Sequence, residues 1–136
     1  MRFLLLSAAV CLASLGAQAQ QTKPTTATAA TVQQDATTTE KRAMSGTLKE
    51  TLGQLEQVRG MVSKAAADPA MAERAPKLNG ATVDMADLGK AIEGMLTKVN
   101  QAKPENWASV KAEAEALNTR ALETIASAKQ LTVSGK

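Results

Sequence analysis

The 136-residue chain has no histidine and no tyrosine, and only one cysteine, one phenylalanine and one tryptophan. Without histidine there is no imidazole base to activate a serine or cysteine nucleophile. Zinc sites draw on His and Cys, so the ligands of a zinc centre are missing as well. A lone tryptophan cannot form a platform for stacked bases. The formal net charge is only +3, and no run of Lys or Arg makes a basic patch, so nucleic acid is not an expected partner. No stretch alternates apolar and polar residues over the length of a strand. No phosphate-binding glycine loop is present; Gly89 and Gly94 fall inside a helical pattern.

What is present begins with an export pattern. Met1 and Arg2 make a short basic start, and residues 3–15 are apolar apart from Ser7 and Ser14. Gly16 then breaks the run, and Ala17-Gln18-Ala19 supplies a small-x-small site. Basic start, apolar core and small-residue site in this order predict a cleavable signal peptide over 1–19, cut between Ala19 and Gln20. A membrane span needs about 20 apolar residues, and this run is shorter. Cys11 follows Val10 rather than the small residue expected before a lipid-modified cysteine, so it reads as an ordinary apolar residue of the signal. The mature chain then holds no cysteine, which excludes disulfides and thiol chemistry. Arg2 is the one charged residue of the signal, so cleavage lowers the formal charge from +3 to +2. The expected location is extracytoplasmic: periplasmic or secreted.

Residues 20–39 are rich in Thr, Ala and Gln, with Pro24 and almost no large apolar side chain. Such a segment buries too little to offset its ordering entropy, so a disordered linker is expected. The competing reading is a glycosylated threonine stalk.

Three helical patterns follow. Over 40–67, Met44, Leu48, Leu55, Val58, Val62 and Ala65 recur at three- and four-residue steps, with Thr51 in one slot. Thr38 or Thr39 is the expected cap, and Asp68-Pro69 the stop. Residues 68–80 read as a loop punctuated by Pro69, Pro76 and Asn79-Gly80, with one helical turn over 70–75. The second helix is expected over 83–102, with Met85, Leu88, Ile92, Met95, Leu96 and Val99 on one side. Thr82 or Asp84 would cap it, Asp84 and Asp87 would face its positive end, and Lys98 and Lys103 its negative end. Lys103-Pro104 forces a break, and Pro104 suits the first turn of a third helix. That helix carries Trp107, Val110, Ala114, Leu117, Ala121, Ile125, Ala128 and Leu131, with Lys111 and Glu115 pairing outside and fraying near Thr132. The fold class is therefore all-α: an antiparallel three-helix bundle over 40–131 with a flexible end at 132–136. The alternative is a coiled-coil-like helical hairpin that completes its core by dimerising.

Candidate chemistry is sparse. The carboxylate pairs Asp84/Asp87 and Glu113/Glu115 read as a helix start and a solvated face rather than a two-carboxylate site. Met44, Met61, Met71, Met85 and Met95 invite Cu(I), but four of the five lie in or beside apolar stripes, where Met is a core filler, and no close MxxM or MxM cluster appears. No enzyme activity, metal or cofactor is expected. Gly46, Gly53 and Gly60 recur every seven residues opposite the first stripe. They are either unselected surface glycines or a smooth strip against which a partner backbone can lie. Trp107 is either a core anchor between the second and third helices or an exposed anchor for a partner. These four residues are the candidate partner-binding positions.

The expected function is an exported, non-enzymatic helical protein that binds a protein partner or itself, as a scaffold or chaperone-like module. A peripheral membrane or lipid-binding role is the alternative, disfavoured by mixed charges and scarce aromatic anchors. For the native protein, intact-mass spectrometry should give the bare mass of residues 20–136. Added hexose masses would establish the glycosylated stalk instead, and a retained leader would overturn the cleavage.

Overall fold

The computed structural model describes residues 26–133, and the signal-peptide and C-terminal-end expectations for 1–19 and 134–136 lie outside them. Helix α1 spans Thr26–Ala66, α2 Ala75–Gln101 and α3 Trp107–Val133, with a short 3-10 turn at Pro69–Met71. Among the described residues there is no strand. Each helix packs on both others, so the protein is a three-helix bundle rather than a hairpin awaiting a second copy.

The apolar stripes become the core. From α1, Leu48, Leu55, Val58 and Val62 are buried; from α2, Leu78, Met85, Leu88, Ile92, Met95 and Val99; from α3, Trp107, Ala114, Ala121, Ile125 and Ala128. Met44, Ala65, Leu96, Val110, Leu117 and Leu131 pack against them, partly buried. Alternating steps of three and four keep one seam of each helix turned inward, the geometry of coiled-coil-like bundles. The bulk is unevenly shared. α1 and α2 supply branched and long side chains, each worth about 1.5–3 kcal/mol when fully buried. Through its middle α3 supplies methyl groups, with Ala114 and Ala121 at 0% exposure. Small residues there let the α3 backbone come close to its neighbours, so a core without aromatic bulk still closes.

The expected boundaries shift at the start of each helix and at the end of α3. α1 begins at Thr26, so the described part of the expected linker is helical. Residues 31–39 are exposed apart from half-buried Thr37, so the composition argument about burial holds. Burial is not what this turn-by-turn extension needs, because lengthening an existing helix adds one hydrogen bond per residue fixed. The hydroxyls of Thr37, Thr38 and Thr39 donate to the carbonyls of Gln33, Gln34 and Asp35, at 2.9, 2.9 and 3.1 Å, rather than capping a helix start. Such back-bonding lets threonine sit inside a helix.

α2 likewise begins early, at Ala75 instead of 83. Pro76 sits in its first turn, where a missing N–H costs nothing. Fully buried Leu78 ties that turn to the core. Asn79 and Gly80 are therefore helical, and Thr82 donates back to the Leu78 carbonyl at 2.9 Å instead of capping. Asp84 and Asp87 stand several turns inside α2, away from its positive end. The connection from α1 is tight: Asp68 accepts the Ala70 N–H at 2.9 Å and so caps the 3-10 turn at Pro69–Met71, not at 70–75.

At the other end Pro104 lies in a turn over 104–106, and α3 starts only at Trp107. Asn106 holds that turn: its side chain accepts the Lys103 N–H at 2.7 Å, and its carbonyl accepts the Val110 N–H at 3.1 Å. α3 continues through Thr132 to Val133, past the expected fraying point.

The seven-residue glycines test the packing directly. A Cβ built on Gly53 or Gly60 would meet no atom within 4 Å outside the local helix. The Gly53→Ala, Gly60→Ala double variant should therefore be stabilised, by up to about 1 kcal/mol per site. Thermal or urea unfolding followed by circular dichroism measures this, and a loss of stability would show that the strip is covered.

Candidate functional site

The polar side chains that reach across the bundle gather mainly where α2 ends and α3 begins. Glu40 of α1 lies beside the first turn of α3. Its Oε2 accepts the Trp107 indole Nε1–H at 2.7 Å and the Lys111 ammonium at 3.2 Å. The next residue, Lys41, donates to the Ala102 carbonyl at the C-terminus of α2. A cation suits that end of the helix dipole. Ser45 donates to Asn100 Oδ1 at 3.4 Å. The overlap follows from chain reversal: α1 and α3 run the same way, so residue 40 meets residue 107.

Deeper in the bundle, Thr51 occupies a core slot at 3% exposure, and its hydroxyl donates to Asn118 Oδ1 at 2.6 Å. A buried hydroxyl without a partner costs about 1–3 kcal/mol, so this bond ties α1 to α3 in one register. Among the described residues no buried side-chain nitrogen or oxygen lacks a partner.

The candidate residues separate into two groups. Trp107 is buried at 6% exposure, so it is not an exposed anchor for a partner. It anchors the core, and its indole N–H donates to Glu40 of α1. Gly46, Gly53 and Gly60 are exposed on α1. The expected Lys111–Glu115 pair is replaced by Lys111–Glu40, which links two helices. Lys98 pairs with Glu113 across α2 and α3 at 3.1 Å, with both side chains half exposed or more. Such an exposed pair is worth at most about 1 kcal/mol. Met85 and Met95 are core residues, Met44 and Met71 are half-buried, and Met61 is exposed.

Asp84 and Asp87 border a shallow α2–α3 cleft with Arg120 and Thr124. Among the described residues no three His, Cys, Asp or Glu side chains converge as a metal site, and no helix is long and apolar enough to cross a membrane.

Sequence reasoning passed over Glu40, Asn100 and Asn118. Thr51 in an apolar stripe was a usable signal, because a polar residue at a core position requires a partner. No local feature marks Glu40, whose partners lie more than sixty residues away. No family model, curated protein or solved structure matches the chain.

The Trp107 indole N–H, and then the Lys111 ammonium, hold the Glu40 carboxyl below the usual glutamate range, because both favour the ionised form. The folded state thus binds this proton less readily than the unfolded chain. The contribution to stability is complete above the ordinary glutamate value, about 4.3. It is lost as pH falls through the lowered folded value. Wild-type protein should therefore exceed Glu40→Gln in stability near pH ~6, with the gap closing as pH falls below the ordinary glutamate value. Unfolding monitored by tryptophan fluorescence at the two extremes tests this. An equal gap at both would remove the ionised Glu40 from the account.

Proposed function

We propose that this chain is an exported, non-enzymatic helical module that works by binding a protein, as a scaffold or chaperone-like piece. The export pattern at 1–19 supports the location. The observation that carries the binding reading is the division of α1 into two faces. Leu48, Thr51, Leu55, Val58 and Val62 are closed into the core, whereas Gly46, Gly53 and Gly60 lie open on the helix surface. From Gly46 to Gly60 that open face runs about 20 Å, at 1.5 Å per residue. A partner could come close to the α1 backbone at each glycine, where nothing stands within 4 Å of the Cβ position.

The lipid alternative fares less well. The three apolar stripes face one another, so a bilayer could reach them only by opening the bundle. The large apolar residues left outside, Val32, Met61, Val83, Leu122 and Val133, are scattered over the three helices.

Affinity capture from the native extracytoplasmic fraction tests the proposal. A specific protein should be retained by the wild type and lost with Gly53→Leu, Gly60→Leu, a pair that fills the strip. Retention by both would move the contact to another face. No retained protein, together with flotation on anionic liposomes, would favour the lipid reading.

A further inference from the structure

Helix α1 brings three cations to one cleft, Lys41 and Arg42 adjacent in the sequence and Lys49 about two turns further on. Lys41, Arg42 and Lys49 of α1 line a cleft of about 500 Å³ together with Thr38, Ser45, Gly46 and, from α2, Asn100. No carboxylate lines it. Lys41 is committed to the Ala102 carbonyl. Arg42 and Lys49 are exposed, and neither joins an ion pair among the described residues, where the pairs are Lys98–Glu113 and Lys111–Glu40. Arg42 and Lys49 are seven residues apart, two turns or about 10 Å along one helix face. Gly46 lies between them, and nothing stands within 4 Å of where its Cβ would be, so a ligand can reach the helix surface there. Asn100 accepts the Ser45 hydroxyl through Oδ1, which turns its amide N–H groups to other acceptors.

We propose that this cleft binds a phosphate-bearing anion, with Arg42 and Lys49 as its charged contacts and Asn100 as a neutral donor. The Arg42 guanidinium offers paired N–H donors to two phosphate oxygens, and Lys49 a mobile point charge. Several oxygens on one tetrahedral group suit donors arriving from two helices. An anion also relieves the repulsion among three neighbouring cations. The inference goes beyond the protein-binding reading and does not rest on it. The same chemistry belongs to soluble polyphosphate and to a phospholipid headgroup.

Calorimetric titration of the purified protein with inorganic tripolyphosphate at low salt is the first arm. Saturable binding is expected, weakening as salt rises. Arg42→Gln, Lys49→Gln should weaken it by on the order of tenfold or more, the size expected for lost charge-assisted hydrogen bonds. Lys90→Gln, Lys129→Gln removes two charges elsewhere and should leave it unchanged. Gly46→Glu, which places a carboxylate in the cleft at an open helical position, should also abolish binding. Thermal melting checks that each variant folds, and either cleft variant suffices. Flotation with phosphatidylglycerol vesicles is the second arm. Vesicle binding lost in the cleft variants and competed by tripolyphosphate assigns a lipid headgroup; tripolyphosphate binding without flotation assigns a soluble phosphate. Equal losses in the cleft and control variants would reduce the effect to net charge and overturn the proposal, as would no binding in either arm.

Discussion

Three helices that share a single aromatic residue can close a core only by lying close together, and most features of this bundle follow from that constraint. Ala114, Ala121 and Ala128 give α3 a thin inner face, while Leu, Ile, Val and Met from α1 and α2 fill the space beside it. The seven-residue stepping keeps these seams aligned over the full length of α3. Trp107 then stands at one end of the seam as the single bulky plug. Close approach also makes register matter, because a shifted helix would set large side chains against large ones.

Register is specified by polar contacts as well as by shape. Thr51 and Asn118 meet inside the bundle, and Glu40 takes both Trp107 and Lys111 where α3 begins. Lys41 closes the C-terminus of α2 from the side. Each of these joins α1 to another helix, so α1 is the member against which the others are positioned. The same helix begins at Thr26, and its side chains over 31–39 are exposed apart from half-buried Thr37.

The distribution of polar groups bears on function. The groups buried or half-buried between helices serve assembly, and Glu40 has its shifted ionisation because of a docking contact. The outer surface of α1 carries what is left: an open glycine strip and, at the α2 end, a cleft lined with cations. A binding module uses surfaces of this kind, and the two features lie on one helix with Gly46 common to both.

The sequence by itself determined the all-α class, the three apolar stripes and the end of α1. These depend on local periodicity and on proline, and both act within a few residues. It also singled out Thr51 as a polar residue in an apolar slot. Helix starts were less legible. Threonines at 37–39 and the Asn79-Gly80 pair look like breakers, yet back-bonded hydroxyls and the burial of Leu78 carry the helices through them. Only the tertiary structure decided that Trp107 is buried against Glu40, that Lys111 leaves Glu115 for α1, and that Lys41, Arg42, Lys49 and Asn100 share one cleft. Those pairings depend on how the chain reverses between helices, which brings together residues some sixty positions apart.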